Sequence, residues 1–344
     1  MLFYNQFFSH ADCILAGERG GAVVLGLGVG SVRREEYIAV SDRYDTVIRF
    51  TTYNKHCISQ STARFRAGKE KHMTALSLGF IGAGNMGFAL IKGFQNWVSA
   101  SEKSREVKLH IYDALPEKRE ELKNKGFSVL ESEIEIAKRC KYIVLACKPQ
   151  QLSELLEKIK SFITAETVLV SLCAGISAEF ICSKTSENAK VILVMPNMPM
   201  LLGAGASAIS CNAAVSGEEF AFAGTVIESC SAVEVIPLDK MNEIICINAS
   251  SPAFIYLFSK CFADYAAEQG IDEKSALNLF AKTLIGASKM LTDSGFGVDE
   301  LISQVSSKGG TTLAGLEQLR LGGLEVIVKN ACEACTKRAY ELGK

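Results

Sequence analysis

The chain of 344 residues carries 37 Lys and Arg residues against 38 Asp and Glu residues, a formal net charge of −1 that argues against nucleic acid as a partner. Hydrophobic residues make up 48% of it, enough for a large core, yet no apolar run reaches the ~18 residues that a membrane helix needs. Residues 1–30 lack a secretory signal, and the cysteines are scattered through apolar stretches as in reducing compartments. We therefore predict a cytoplasmic protein that contacts no membrane.

Residues 1–73 differ in composition from the remainder of the chain. Seven of their ten basic residues are arginine, against five of 27 afterwards, and they show no sustained helix or strand periodicity. Their acidic residues argue against an organelle transit peptide. We expect this segment to be either a poorly structured extension or translated sequence upstream of a start at Met73.

Between residues 74 and 238, short apolar runs alternate with amphipathic stretches. The predicted strands are 78–81, 109–112, 142–146, 168–171, 191–195 and 233–235. The predicted helices are 85–98, 116–125, 149–160, 177–184 and 216–230. This alternation is typical of crossover units, so we predict an α/β domain with a Rossmann-type, doubly wound, mainly parallel sheet that binds a dinucleotide.

The remainder, residues 239–344, has apolar residues at helical spacing and is predicted to form an all-helical domain. Its Cys332 and Cys335 form a CxxC pair with no second pair and no nearby histidine, so no metal site is predicted.

A glycine-rich turn lies directly between the first predicted strand and its helix, with the sequence GAGNMG over residues 82–87. Gly82 suits the tight turn, Gly84 lets the backbone approach a pyrophosphate, and Gly87 allows the helix to pack closely on the strand. Free N–H groups at the helix start then hold the anion. The turn predicts a dinucleotide site; the alternative is a glycine turn that holds no ligand.

The next strand ends at Asp113, which suits a ribose 2′-hydroxyl and favours NADH. Lys118 and Arg119 follow it and suit a 2′-phosphate, which favours NADPH. The sequence indicates both, and Asp113 is also a normal turn or cap residue before Pro116.

Three further strand ends meet the same edge of the predicted sheet, where open α/β sheets bind ligands. Lys148 follows the third strand, a small-residue turn follows the fourth, and Asn197 follows the fifth. Ordinary turn chemistry is the alternative at each. The candidate cofactor contacts are Gly82, Gly84, Asn85, Met86, Gly87, Asp113, Lys118, Ala146, Lys148, Pro149, Ala174 and Gly175.

Two polar clusters interrupt the apolar pattern of the helical region, at residues 248–252 and 305–312. In the second cluster hydroxyls and two glycines precede a helical pattern, which describes a helix start with free N–H groups suited to a carboxylate. A plain Ser or Thr cap is the alternative. No histidine follows His110, so no histidine of this region serves as a general base.

These motifs, in order and spacing, resemble pyrroline-5-carboxylate reductase along residues 76–340. The most specific match is the Ser-Ser-x-Gly-Gly-x-Thr element at residues 306–312. The resemblance implies reduction of the cyclic imine 1-pyrroline-5-carboxylate to L-proline by NADPH or NADH, an oxidoreductase reaction on a CH–NH bond. It also implies a helical dimerisation domain that interlocks with its twin, a homo-oligomer of at least two subunits, and an active site between subunits.

Carried over by position, the resemblance assigns Ser307 and the backbone of Gly310, Thr311 and Thr312 to the substrate carboxylate. The resemblance also implies a hydrogen bond from the Thr312 hydroxyl to the ring nitrogen. Thr312 and Ser307 are the predicted catalytic residues. The remaining candidate substrate contacts are Ser250, Ser251 and Asn197.

The chain departs from the family pattern at several positions. Phe254 replaces a tyrosine, Lys260 stands where many relatives have an acid, Lys308 replaces a proline and Met198 a threonine. Two other functions stay open: a related enzyme for another cyclic imine or a hydroxy acid, which in the latter case needs a helical lysine such as Lys260 or Lys282, and a nucleotide-binding protein without turnover.

Overall fold

The computed structural model of the protein describes residues 76–100 and 107–343. The prediction for residues 1–73 lies outside the described residues. All described residues belong to one unit, His72–Lys344. The boundary between a nucleotide domain and a helical domain near residue 239 therefore stays a prediction.

The first part of this unit alternates strands with helices. Its strands are β1 (Ser77–Ile81), β2 (Lys108–Tyr112), β3 (Tyr142–Leu145), β4 (Val168–Ser171), β5 (Lys190–Met195), β6 (Gly205–Cys211) and β7 (Ser231–Val235). Its helices are α1 (Asn85–Ala100), α2 (Pro116–Asn124), α3 (Glu133–Arg139), α4 (Pro149–Ile159), α5 (Ala178–Lys184) and α6 (Gly217–Glu228).

The seven strands form one sheet in the order β2-β1-β3-β4-β5-β6-β7. Every neighbouring pair is parallel except β5 and β6, which run antiparallel. The predicted Rossmann-type, mainly parallel sheet is thus confirmed. Because β1 to β5 are parallel, their carboxyl ends share one edge, and this edge receives the loops that carry most of the predicted cofactor contacts.

Apolar side chains cover both faces of this sheet. Phe80 and Val144 lie in one buried cluster, whereas their chain neighbours Ile81 and Leu145 lie in the other, because successive side chains of a strand point to opposite faces. Strands that are apolar on both faces are typical of a parallel sheet covered by helices. The two cores fix the strand ends rigidly.

Two elements of this part were not predicted from the sequence. Strand β6 has the sequence GASAISC, which is rich in small and polar residues, and it is held by pairing with β5 and β7 on either side. Helix α3 begins with alternating Glu and Ile, a pattern that does not suggest a helix, and it starts where the Ser132 hydroxyl accepts a bond from the Glu135 N–H.

After Val235 the described chain is helical, as predicted. The helices are α7 (Ile245–Asn248), α8 (Ser251–Glu268), α9 (Glu273–Asp293), α10 (Val298–Gln304), α11 (Thr311–Leu321) and α12 (Leu324–Leu342). Helix α12 returns to the sheet: the Tyr340 hydroxyl donates to Glu243 Oε1 over 2.8 Å, and Ala339 is buried in the core.

The helical part exposes a large apolar surface. No side chain of α9, α10 or α11 is buried, and residues such as Leu257, Leu279 and Leu321 are at least two-thirds exposed. The helical stretch Ile245–Glu268 is also long and apolar enough to cross a membrane by length and composition alone. Exposed apolar surface of this extent indicates a covering partner.

Candidate active site

The glycine turn between β1 and α1 has no room for side chains at two positions. Gly82 has φ +102°, its N–H donates to the Tyr112 carbonyl over 2.8 Å, and a Cβ there would lie 2.6 Å from the Ala146 oxygen. A Cβ at Gly87 would lie 2.4 Å from the Gly82 oxygen and 3.0 Å from the Ala146 Cβ. Gly82, Gly87 and Ala146 thus bring β1, α1 and β3 into direct contact.

Gly84 and Asn85, by contrast, are exposed at the start of α1. A Cβ at Gly84 would meet no atom within 4 Å, so open space lies in front of its backbone. The first N–H groups of a helix have no partner within the helix and carry partial positive charge. The open backbone at Gly84 and the N–H groups that follow it therefore fit the pyrophosphate of a dinucleotide.

Asp113 uses both carboxylate oxygens on backbone groups. Its Oδ2 accepts from the Ala83 N–H over 2.7 Å, and its Oδ1 accepts from the Leu115 N–H over 3.0 Å. The first bond joins the end of β2 to the glycine turn, 30 residues away in sequence. Asp113 therefore positions the turn and, lying at the cleft, retains free lone pairs for a ribose hydroxyl.

A cleft of about 170 Å³ opens between these two segments. Its lining includes the predicted contacts Gly84, Asn85, Asp113 and Lys118. The lining also includes three apolar residues that the sequence analysis did not single out, Phe88, Leu115 and Leu201. Apolar walls with a few polar groups are typical of a small-molecule site.

The charged groups beside the cleft form a small network on Phe88. Lys118 Nζ lies 5.3 Å and Lys125 Nζ lies 4.8 Å from the Phe88 ring centroid, and both ammonium groups pair with Glu121. Hydrogen bonds from Lys118 and Lys125 hold the pKa of the Glu121 carboxyl at about 2. Arg119 does not pair with Glu121, because its guanidinium donates to the carbonyl oxygen of Asp113 over 2.7 Å. Lys118 is thus the lysine of this network that lines the cleft.

The loops after β3 and β4 are arranged differently from each other. Lys148 is exposed next to Pro149 at the start of α4, and its N–H donates to Gln151 Oε1 over 3.3 Å. Gly175 is buried, because a Cβ there would lie 2.5 Å from the Ala339 carbonyl oxygen of α12. The end of α12 therefore covers Gly175, while Ala174 beside it stays half-buried.

Two amide side chains hold the end of β5, one through a bond to β6 and one through a bond to the helical part. Asn197 is 8% exposed, and its Oδ1 accepts from the Ala206 N–H over 2.9 Å. Asn248 Nδ2 donates to the Met195 carbonyl over 2.6 Å and to the Ala206 carbonyl over 3.3 Å. Asn197 thus fixes the strand end, and Asn248, whose role the sequence analysis missed, fixes α7 to it. A polar residue within the apolar run ICIN was its only signal.

Ser250 and Ser251 are half-buried at the junction of α7 and α8. The Ser251 hydroxyl donates to the Ile247 carbonyl over 2.6 Å. Because Asn248 ties this junction to the end of β5, both serines lie near the strand edge that Asn197 occupies.

Ser307 and Gly310 form the tight turn before α11. The Gly310 N–H donates to the Ser307 carbonyl over 2.9 Å, and a Cβ at Gly310 would lie 2.5 Å from the Ser307 hydroxyl. No side chain caps the helix, whose N-cap is Gly310, so the first N–H groups stay free for an anion. This geometry favours the carboxylate site over the plain Ser or Thr cap.

The single chain does not bring its two candidate half-sites together. Ser307, Thr311 and Thr312 are exposed on the helical part, and none of residues 306–312 lines the cleft at Gly84 among the described residues. Lys260, considered as a catalytic lysine for hydroxy-acid chemistry, is exposed and paired with Asp264 over 2.6 Å. A complete site therefore requires that the two half-sites be brought together by something other than the fold of one chain.

Comparison with known proteins gives matches to both parts of the chain. The sequence model described as "Pyrroline-5-carboxylate reductase dimerisation" matches residues 239–342, and the one described as "NADP oxidoreductase coenzyme F420-dependent" matches residues 77–175. Pyrroline-5-carboxylate reductase 3 of Danio rerio is 32% identical over 286 residues, which cover 83% of this chain and 98% of the fish protein. The chain belongs to the pyrroline-5-carboxylate reductase family. The enzyme of Methanosarcina acetivorans is likewise 32% identical, over 78% of this chain and 98% of its own.

Solved structures of this family share the fold. The pyrroline carboxylate reductase of Plasmodium falciparum with NADP bound superposes with a TM-score of 0.70 at 28% identity, covering 79% of this chain and 100% of that one. The Streptococcus pyogenes pyrroline-5-carboxylate reductase gives 0.71 at 26% identity, covering 78% and 100%. The dimerisation match spans the exposed apolar helices and supports a homo-oligomer.

Proposed function

We propose that this protein is an NAD(P)H-dependent pyrroline-5-carboxylate reductase, which reduces the cyclic imine 1-pyrroline-5-carboxylate to L-proline. The observation that carries the proposal is the 32% identity along 98% of a pyrroline-5-carboxylate reductase. The reaction belongs to the oxidoreductases that act on CH–NH bonds.

The cofactor is assigned to the carboxyl edge of the sheet. Gly84 and the backbone of Asn85, Met86 and Gly87 bind the pyrophosphate, while Asp113 and Lys118 face the adenosine ribose. Ala146, Lys148 and Pro149, with Ala174 and Gly175, border the nicotinamide half. When bound, the reduced nicotinamide supplies the two electrons of the reduction.

The substrate is assigned to the start of α11. Ser307 and the backbone of Gly310, Thr311 and Thr312 hold its carboxylate, aided by the partial positive charge of the helix end. Because the Gly310 N–H already donates to the Ser307 carbonyl, the free N–H groups are those of Thr311 and Thr312. Ser250, Ser251 and Asn197 complete the pocket from the strand edge. Anchoring the carboxylate fixes the imine carbon in one place, and positioning of this kind supplies a large part of a rate enhancement.

Thr312 is assigned the chemical role. An imine carbon accepts electrons poorly until its nitrogen is protonated or hydrogen-bonded, because the C=N electron pair moves onto nitrogen during reduction. The Thr312 hydroxyl, or a water that it holds, donates to this nitrogen and stabilises the transition state. Since Ser307 and Thr312 are exposed in one chain, we assign them to a site completed by the cofactor edge of a second subunit.

The deciding experiment follows the oxidation of NADH and of NADPH by the full-length protein. Rapid oxidation with pyrroline-5-carboxylate supports the proposal, and the ratio of the two kcat/KM values gives the cofactor preference. Oxidation only with other cyclic imines or hydroxy acids would replace the proposed substrate. Cofactor binding without any turnover would instead indicate a nucleotide-binding protein of the same fold.

A further inference from the structure

Two cysteines occupy matching positions in the loops that border the nicotinamide half of the proposed site. Strands β3 and β4 pair in parallel with Leu145 opposite Ser171. Cys147 and Cys173 each lie two residues beyond these partners, in the loops that follow the strands, and extending the register past the strand ends places them side by side. Neighbouring strands lie about 4.8 Å apart, within the Cα separations that a disulfide spans.

The contacts at these positions agree with the register. The Cys173 sulfur lies 3.3 Å from the Cys147 carbonyl oxygen and 3.8 Å from that of Leu145. Cys173 belongs to the apolar cluster on one side of the sheet, and the partly buried Cys147 packs against the same cluster. The two strand ends therefore place the Cys173 sulfur directly against Cys147.

The two thiols differ in exposure and acidity. Cys147 is half-buried at the loop surface, whereas Cys173 is 5% exposed beneath it. The interaction with the neighbouring Cys173 lowers the pKa of Cys147, and the same interaction together with burial raises the pKa of Cys173. An accessible thiol of lowered pKa beside a buried one is the usual arrangement of an attacking and a resolving cysteine.

We propose that Cys147 and Cys173 are a thiol pair which hydrogen peroxide converts to a disulfide, and that this disulfide weakens cofactor binding. The Cys147 thiolate attacks one peroxide oxygen, the O–O bond breaks, and hydroxide leaves and takes up a proton as water. Sulfur is oxidised to the sulfenic acid while peroxide is reduced. The Cys173 sulfur then attacks the sulfenic sulfur; the S–S bond forms, the S–O bond breaks, and a second water departs with the Cys173 proton.

The expected effect on binding follows from what flanks the pair. Cys147 lies between Ala146, which contacts the glycine turn, and Lys148, while Cys173 precedes Ala174. Drawing the sulfurs to bonding distance shifts both loops. This part of the proposal rests on the proposed function, because it requires the cofactor to lie at these loops; the disulfide itself does not.

The first test is made on the full-length reduced protein. It is treated with hydrogen peroxide, its free thiols are blocked with N-ethylmaleimide, and its peptides are analysed by mass spectrometry. We expect a peptide crosslinked between Cys147 and Cys173 that dithiothreitol abolishes, while the exposed Cys261 stays largely alkylated. Saturating NADPH slows the crosslink. If Cys147 remains alkylated to the same extent as Cys261, or pairs at random, the thiol pair is refuted.

Two variants and one titration complete the test. Cys173→Ala accumulates a sulfenic acid at Cys147 that dimedone traps, whereas Cys147→Ser leaves Cys173 unmodified, and circular dichroism checks that both are folded. In the wild type the disulfide raises the NADPH dissociation constant about tenfold, comparable to the loss of one hydrogen bond to a charged group. An unchanged constant would refute the effect on binding. A reduced protein that binds no NADPH would refute the proposed cofactor while leaving the crosslink result valid.

Discussion

Substitutions at two glycines of the nucleotide turn should have different effects, one on the stability of the fold and one on cofactor binding. An added Cβ at Gly87 lies 2.4 Å from the Gly82 carbonyl oxygen, which is backbone held between β1 and β3. Overpacking of this kind costs about 1–3 kcal/mol, so Gly87→Ala should lower the free energy of unfolding by that amount. Gly84→Ala adds its methyl to open space and should change the free energy of unfolding by no more than about 0.5 kcal/mol.

The same methyl at Gly84 stands where the pyrophosphate is assigned. Loss of one backbone hydrogen bond to a charged phosphate costs about 1.5–3 kcal/mol, so Gly84→Ala should weaken binding of NADH and NADPH alike by about 10- to 150-fold. Gly87→Ala should weaken binding as well, since it displaces the turn. Only Gly84→Ala combines normal stability with weak binding.

Urea unfolding at one fixed protein concentration gives the stability of each variant, because the stability of an oligomer depends on concentration. Fluorescence titration with each nucleotide gives the dissociation constants. Wild-type affinity in Gly84→Ala would show that no pyrophosphate lies against this backbone. Wild-type stability in Gly87→Ala would contradict the packing described between the turn and α1.

Three further predictions test the other parts of the molecule. Thr312→Ala should lower kcat/KM by about one to two orders of magnitude. The control Thr311→Ala keeps its backbone N–H and should not lower it. Equal losses in the two variants would show that the Thr312 hydroxyl has no part in the chemistry. Leu257→Asp should raise the concentration needed for self-association by about tenfold or more in light scattering, and an unchanged mass at every concentration would place the interface elsewhere. Burial opposes ionisation of Glu219, but the hydrogen bonds from Lys190 and a neighbouring backbone amide lower the pKa of its carboxyl overall. The ionised carboxylate therefore stabilises the fold fully above the ordinary glutamate pKa, and this stabilisation is lost as the pH falls through the lowered pKa. Urea unfolding across this range should show a shallower loss in Glu219→Gln, and identical pH profiles would refute the assignment.

The sequence predicts those features that depend on neighbours along the chain. Apolar runs identified six of the seven strands, and the glycine spacing placed the turn at the end of β1. Strand β6 escaped prediction because its small residues carry no strand preference and its stability comes from pairing with β5 and β7.

Contacts between distant segments were beyond the sequence. The bond from Ala83 to Asp113, the Asn248 contact with Met195 and the cover that α12 places over Gly175 depend on three-dimensional packing alone. The position of Thr312 relative to the cleft likewise depends on how subunits assemble. The sequence of one chain indicates that assembly only through its resemblance to a family.

The charged network on Phe88 should make the choice between NADPH and NADH depend on ionic strength. Lys118 lines the cleft and shares the Glu121 carboxylate with Lys125, so these three groups together carry one net positive charge beside the cleft. Ions screen such a charge, with a Debye length of about 8 Å at physiological ionic strength. In the proposed placement the extra phosphate of NADPH lies beside this charge, so NADPH should lose more attraction than NADH when salt is added. Selectivity between the two dinucleotides is therefore a property of the protein together with its buffer, and a measured ratio describes the protein only alongside the ionic strength at which it was obtained.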